Sequence, residues 1–208
     1  MRFKLALFDF DGTLADSALW FLNELNGMAD ELKLRRIEEA DFEKLRGYSS
    51  KQVMEYLRLP KWKLPLLMNR MRNAAARDDS QIKLFAGVDS MLAELQKRGM
   101  RLGIVSSNAE ANIRRILGVE NCGRIEHFAC GASLFGKASK LRRVLRRAGI
   151  DPREAIYIGD EIRDAIACRE VGIPFGAVAW GYTTMDALRR EGPALEFHNV
   201  ADIPVALT

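Results

Sequence analysis

Short, nearly continuous apolar runs recur along the chain at Phe3–Phe8, Arg101–Val105, Ala155–Ile158 and Phe175–Ala179, each ending in small or acidic residues. Runs of this kind predict strands buried on both faces, as in a parallel sheet. Helical periodicity separates them. Ser90–Arg98 places Met91, Leu92 and Leu95 on one face and stops at Gly99, a residue suited to the left-handed end of a helix. Lys140–Ala148 repeats the pattern with Leu141, Val144 and Leu145 before Gly149, and Asp164–Val171 closes at Gly172. This alternation predicts an α/β fold with a doubly wound, Rossmann-like parallel sheet.

The texture changes between the first two strands. From about Asp16 to Leu84 the pattern is helical only, in Leu19–Leu34, Ser50–Leu59 and Leu64–Ala76, with Pro60 and Pro65 as breaks. A crossover between parallel strands needs far fewer residues. The stretch is rich in Leu, Met and Trp, which favours a packed unit over a disordered excursion. Residues 1–15 and 85–208 are therefore expected to form the core domain, and residues 16–84 an inserted α-helical cap.

Composition adds little to this picture. The 208 residues are 48% apolar and 29% charged, ordinary for a globular protein. A formal charge of +4 favours anionic partners. The basic residues are scattered, however, with no Lys/Arg run interleaved with aromatics, so no nucleic-acid partner is expected. Cys122, Cys130 and Cys168 form no CxxC pair and read as reduced thiols. No stretch reaches the length of a membrane span, and Asp9 and Asp11 interrupt the apolar N-terminus too early for a signal peptide. A cytoplasmic monomer or homodimer acting on a small molecule is the expectation.

The strongest chemical signal is Phe8-Asp9-Phe10-Asp11-Gly12-Thr13-Leu14, which follows the first strand directly. Strand alternation lets Asp9 and Asp11 point the same way while Phe10 packs behind them. Two carboxylates this close repel unless a cation separates them, and Mg²⁺ prefers carboxylate and phosphate oxygens. One acid can then attack phosphorus while the other serves as general acid and base. The alternative for this segment is an ordinary Asp-Gly turn.

Asp9-Phe10-Asp11-Gly12-Thr13-Leu14 resembles the first motif of the haloacid dehalogenase-like hydrolase superfamily. Three later segments resemble its other motifs, in order. Leu102-Gly103-Ile104-Val105-Ser106-Ser107-Asn108 matches the second, in which Ser106 would hydrogen-bond the transferring phosphoryl group. Phe135-Gly136-Lys137-Ala138-Ser139-Lys140 matches the third, a lysine that neutralises the nucleophile; Lys137 fits the spacing better, with Lys140 the competitor. Ile158-Gly159-Asp160-Glu161-Ile162-Arg163-Asp164 matches the fourth, GDxxxD, with Asp160 and Asp164 expected on one face of a helix start. The resemblance implies an aspartyl-phosphate on Asp9 and acid–base catalysis by Asp11. It also implies an Mg²⁺ held by Asp9, Asp160, the backbone carbonyl of Asp11 and, through water or the lysine, Asp164. Gly12, Thr13, Ser107 and Asn108 would face the phosphate.

The helical insertion and Phe85-Ala86-Gly87-Val88 resemble phosphoglycolate phosphatases, with Ala86 where that subgroup has proline. Arg46, in a break between cap helices, is a candidate for a substrate carboxylate, or else a solvated helix-end charge. The resemblance implies a phosphatase of a small phosphate ester. A β-phosphoglucomutase-like phosphotransferase and a non-catalytic module on the same fold stay open as alternatives.

Overall fold

A computed structural model of the chain describes residues 3–48, 50–77, 81–131 and 136–207. Phe135 of the third motif lies outside the described residues. The strands are β1 (Leu5–Phe8), β2 (Ala15–Asp16), β3 (Lys83–Leu84), β4 (Arg101–Val105), β5 (His127–Ala129), β6 (Ala155–Gly159), β7 (Phe175–Val178) and β8 (Leu195–Phe197). The helices are α1 (Ala18–Leu32), α2 (Glu39–Arg46), α3 (Ser50–Tyr56), α4 (Leu64–Arg77), α5 (Val88–Lys97), α6 (Glu110–Arg124), α7 (Lys137–Ala148), α8 (Ile162–Val171), α9 (Met185–Arg189) and α10 (Asp202–Ala206).

Six strands make one parallel sheet in the order β5-β4-β1-β6-β7-β8. The central strand β1 shows why its sequence is apolar throughout. Ala6 and Phe8 join a cluster that includes Leu92, Leu95, Ile113 and Ile203, while Leu5 and Leu7 join another with Leu141, Val144 and Ala165. Both faces are covered by helices, so neither set of side chains meets water. Full burial of each large side chain contributes about 1.5–3 kcal/mol, which makes β1 a rigid support for whatever follows it.

The chain leaves and re-enters the core at one place, where β2 pairs antiparallel with β3. Between these strands, α1 to α4 enclose a separate apolar cluster of Leu25, Ala29, Leu32, Leu45, Leu57, Leu67 and Met71. Pro65 lies in the first turn of α4 rather than breaking a helix, because an N-terminal turn has no use for its missing N–H. The strongly polar α2 has too few apolar positions to be legible in sequence, and the short β5, β8, α9 and α10 also escaped prediction. Among the described residues no helix is long and apolar enough to cross a membrane.

Candidate active site

Chain order reverses around β1, whose neighbours are β4 and β6. Crevices at such switch points, beyond the carboxyl ends of the strands, are where open parallel sheets bind ligands. Asp9 follows β1, Ser106 follows β4, and Asp160 follows β6, so three segments far apart in sequence converge there. Gly12 turns the chain out of the sheet with φ +75°, and a Cβ at that position would overlap the Asp160 carboxylate.

Lys137, at the start of α7, places its Nζ 2.7 Å from Asp9 Oδ2 and also pairs with Asp164 Oδ1. The same ammonium lies 5.2 Å above the Tyr157 ring, and the Tyr157 hydroxyl donates to the Val105 carbonyl at 2.9 Å. Lys140 points elsewhere, donating to the carbonyls of Ser106 and Gly131. Geometry thus separates the two lysines that the spacing left in competition.

Asp160 is fully buried and held from both sides: Thr13 Oγ1 donates to Oδ1 at 2.8 Å, and the Tyr182 N–H donates to Oδ2 at 2.7 Å. Thr13 therefore spends its hydroxyl on an acid of the site. Asp164 faces the same point as Asp160 and holds the lysine, though not by sharing a helix face with Asp160. Asp160 precedes α8 and is not part of it, so the two acids do not share a helix face. Instead Glu161 caps α8, and the Asp164 carboxylate turns back to accept the Glu161 N–H at 3.3 Å. This capping box aims its other oxygen at Lys137.

Asp11 sits opposite Asn108, whose side-chain amide donates to both carboxylate oxygens at 3.0 and 3.3 Å. Asn108 is in turn fixed by accepting the Ala109 N–H, and its own N–H donates to Ser106 Oγ at 3.2 Å. Ser107 is half-buried in the same loop.

The loop after β7 ties the site together. Trp180 Nε1 donates to the Thr13 carbonyl at 3.0 Å, and the Tyr182 hydroxyl meets Ser17 Oγ at 2.6 Å beside the cap junction. Gly181 lies so close to Asp160 that a Cβ there would overlap its side chain. Arg46 reaches this loop from α2, donating to the carbonyls of Gly181 and Ala179 and pairing with Glu43, while the Thr184 N–H donates to the Arg46 carbonyl at 2.9 Å. In this structure Arg46 is a strut between cap and core.

Burial and charge set the protonation of these groups. Burial pushes the Asp9 carboxyl up, but Lys137, Arg163 and the Phe10 N–H outweigh it and hold it below its ordinary value. Burial, then the neighbouring Asp9, raise Asp11 to about 6 against the opposing Asn108 amide. Burial raises Asp164 to about 7 despite Lys137, and drives Asp160 well above the usual carboxylate range, with Glu161 adding to the rise. Burial opposes the Lys137 charge, yet Asp164 and Asp9 keep its ammonium above its ordinary value.

One oxygen each from Asp9, Asp160 and Asp164 lie within 4.8 Å of one another, all buried. Three carboxylates with a single ammonium among them lack a positive charge, and an all-oxygen donor set suits a hard divalent ion such as Mg²⁺. The residues fit that group.

This constellation, on this sheet, has a family. A model of the haloacid dehalogenase-like hydrolases matches residues 6–178. The chain belongs to that family. It is 32% identical over 203 residues to a phosphoglycolate phosphatase of Synechococcus elongatus, covering 97% of this chain and 96% of the relative. It is also 27% identical to the tyrosine-protein kinase PtkA of Mycobacterium tuberculosis, over 94% of this chain and 68% of that protein. Among solved structures, a haloacid dehalogenase-like family hydrolase from Streptococcus pneumoniae superposes with a TM-score of 0.83 at 21% identity, covering 100% of this chain and 99% of that one. The family's α/β core and phosphatase character are shared by this chain.

Arg163 and Glu161, inside the fourth motif, and Ser17 and Tyr182, at the cap junction, were not singled out as functional from sequence. A charged pair within GDxxxD was the available signal for the first two. Nothing local marks the others, whose side chains meet each other across 165 positions of sequence.

Proposed function

We propose that this protein is an Mg²⁺-dependent phosphatase that hydrolyses a small phosphate monoester through an aspartyl-phosphate on Asp9, with phosphoglycolate as the model substrate. The observation that carries the reading is the contrast between two neighbouring acids. Asp9 is held ionised by Lys137 at 2.7 Å, while Asp11 is raised to about 6, so one is fit to attack and the other to hold a proton.

An Asp9 oxygen forms a bond to phosphorus as the phosphorus–ester oxygen bond breaks. Asp11 passes its proton to the departing oxygen. It then takes a proton from the water that attacks the phosphoryl group, which returns Asp9 to a carboxylate. Ser106 and backbone N–H groups near Gly12 and Ser107 orient the phosphoryl oxygens, and Lys137 offsets their charge. Asp9, Asp160 and the Asp11 carbonyl would hold the ion, with Asp164 steadying Lys137. When bound, Mg²⁺ supplies the positive charge that the three acids and the phosphate dianion otherwise lack. The α1–α4 cap excludes bulk water from the crevice.

Phosphate release from a panel of small phosphate esters, with Mg²⁺ and with EDTA, tests this directly. Turnover that needs Mg²⁺ and disappears in Asp9→Asn is expected; no release from any ester refutes the reading. The similarity to PtkA favours one second reading, transfer from Asp9 to an acceptor hydroxyl. It would appear as a phosphorylated acceptor without matching free phosphate.

A further inference from the structure

Among the described residues, four cations stand around the acids and loops of the site, and three have their donors committed. Lys137 is engaged by Asp9 and Asp164, Lys140 by two backbone carbonyls, and Arg46 by Ala179, Gly181 and Glu43. Arg163 is different. One terminal nitrogen pairs with Glu161, while Nε is, among the described residues, a buried side-chain atom with no hydrogen-bond partner. Leaving such a donor unmade is costly in a folded protein, and each case asks for an explanation. The side chain keeps 30% of its surface exposed although Nε itself is buried. Arg163 lies on the segment between Asp160 and Asp164, two acids that the structure brings together with Asp9 at the crevice.

We propose that Arg163 is the substrate-binding residue that recognises a carboxylate on the leaving group, with Glu161 holding its place until such a ligand arrives. This rests on the phosphatase reading above. The exchange is chemically balanced, one carboxylate for another. Glu161 has a second partner, because its side chain also accepts an N–H in the capping box at the start of α8. Losing Arg163 leaves it capped, not stranded. Arg163, meanwhile, gains the acceptor its Nε lacks, in the two-pronged geometry that a guanidinium offers a carboxylate. Lys137, already shared by two acids, has no comparable capacity for a second anion.

The test uses the full-length Asp9→Asn protein with Mg²⁺, which leaves esters intact, and calorimetric titration with two probes: phosphoglycolate, and ethyl phosphate, which lacks the carboxylate. Arg163→Gln is expected to weaken phosphoglycolate by about 10- to 100-fold, the range for losing a charge-assisted hydrogen-bonded pair, while changing ethyl phosphate by no more than about threefold. Arg163→Lys should restore part of the loss. Glu161→Gln, which keeps a capping oxygen but removes the competing charge, should tighten phosphoglycolate alone. Equal losses for both esters, or undiminished phosphoglycolate binding in Arg163→Gln, overturns the proposal. The two readings fail separately: selective binding without phosphate release by the unmodified enzyme sinks the hydrolase and spares Arg163, whereas turnover with no selectivity does the reverse.

Discussion

Magnesium titration during thermal unfolding probes the charge balance of the site without relying on turnover. The perturbation is Asp160→Asn, which removes one negative charge and keeps an oxygen for Thr13. Carboxylate oxygens within 4.8 Å repel by at least about 3.5 kcal/mol per pair at an effective dielectric of ~20. Asp160 faces two such neighbours and does not touch Lys137, so roughly 7 kcal/mol of repulsion must be relaxed by proton uptake or by an ion. The raised Asp160 and Asp164 show the first route. An ion present at 100 times its Kd stabilises the fold by about 2.7 kcal/mol. At roughly 2–4 °C per kcal/mol for a chain of this size, Tm should rise by about 5–11 °C. In Asp160→Asn the rise should fall below about 2 °C, with the metal-free variant more stable than the parent.

The pH dependence has a definite sign. Asp164 titrates at about 7 in the fold against 3.8 in the unfolded chain. A raised carboxyl leaves stability untouched below the unfolded value and erodes it as pH climbs from about 4 through 7. Bound Mg²⁺ displaces those protons, so its effect should be larger at pH 8 than at pH 6, with protons released on binding. Differential scanning fluorimetry with and without Mg²⁺ reads all of this. An undiminished shift in Asp160→Asn, or no shift in the parent at pH 8, refutes the reasoning.

Other changes follow from single contacts. Gly181→Ala forces a Cβ into the Asp160 side chain; kcat is expected to drop at least about tenfold with secondary structure retained by circular dichroism, and an unchanged kcat would show that the loop yields freely. Lys137→Met leaves Asp9 and Asp164 without their buried ammonium, and should cost about 3–5 kcal/mol in urea denaturation at pH 8 without metal, less once Mg²⁺ is added. Arg46→Ala removes three hydrogen bonds from α2 to the 179–181 backbone; hydrogen exchange in α2 should accelerate while β1 and β6 stay protected.

Much was legible because the relevant physics is local. Continuous apolar runs declared strands covered on both faces, since β1 feeds two separate clusters with alternate side chains. Acids directly after such runs had to lie at the carboxyl ends of strands, whatever the strand order. The segment from Asp16 to Leu84 declared its helices by period, although the polar α2 stayed hidden.

What only the tertiary structure decided depends on distance through space. Lys137 and Lys140 both lie on the buried side of α7; which one meets Asp9 follows from how α7 docks against β4, β5 and the Tyr157 ring. The inward turn of Asp164 comes from a capping box, and Thr13 proves to be a partner of Asp160 across 147 positions of sequence. Arg46, which the sequence offered either for a substrate carboxylate or as a solvated helix-end charge, bonds to a loop more than 130 residues away. Periodicity reports which face of an element is buried. It carries no information about which buried face meets which, and charged side chains take their roles from that encounter.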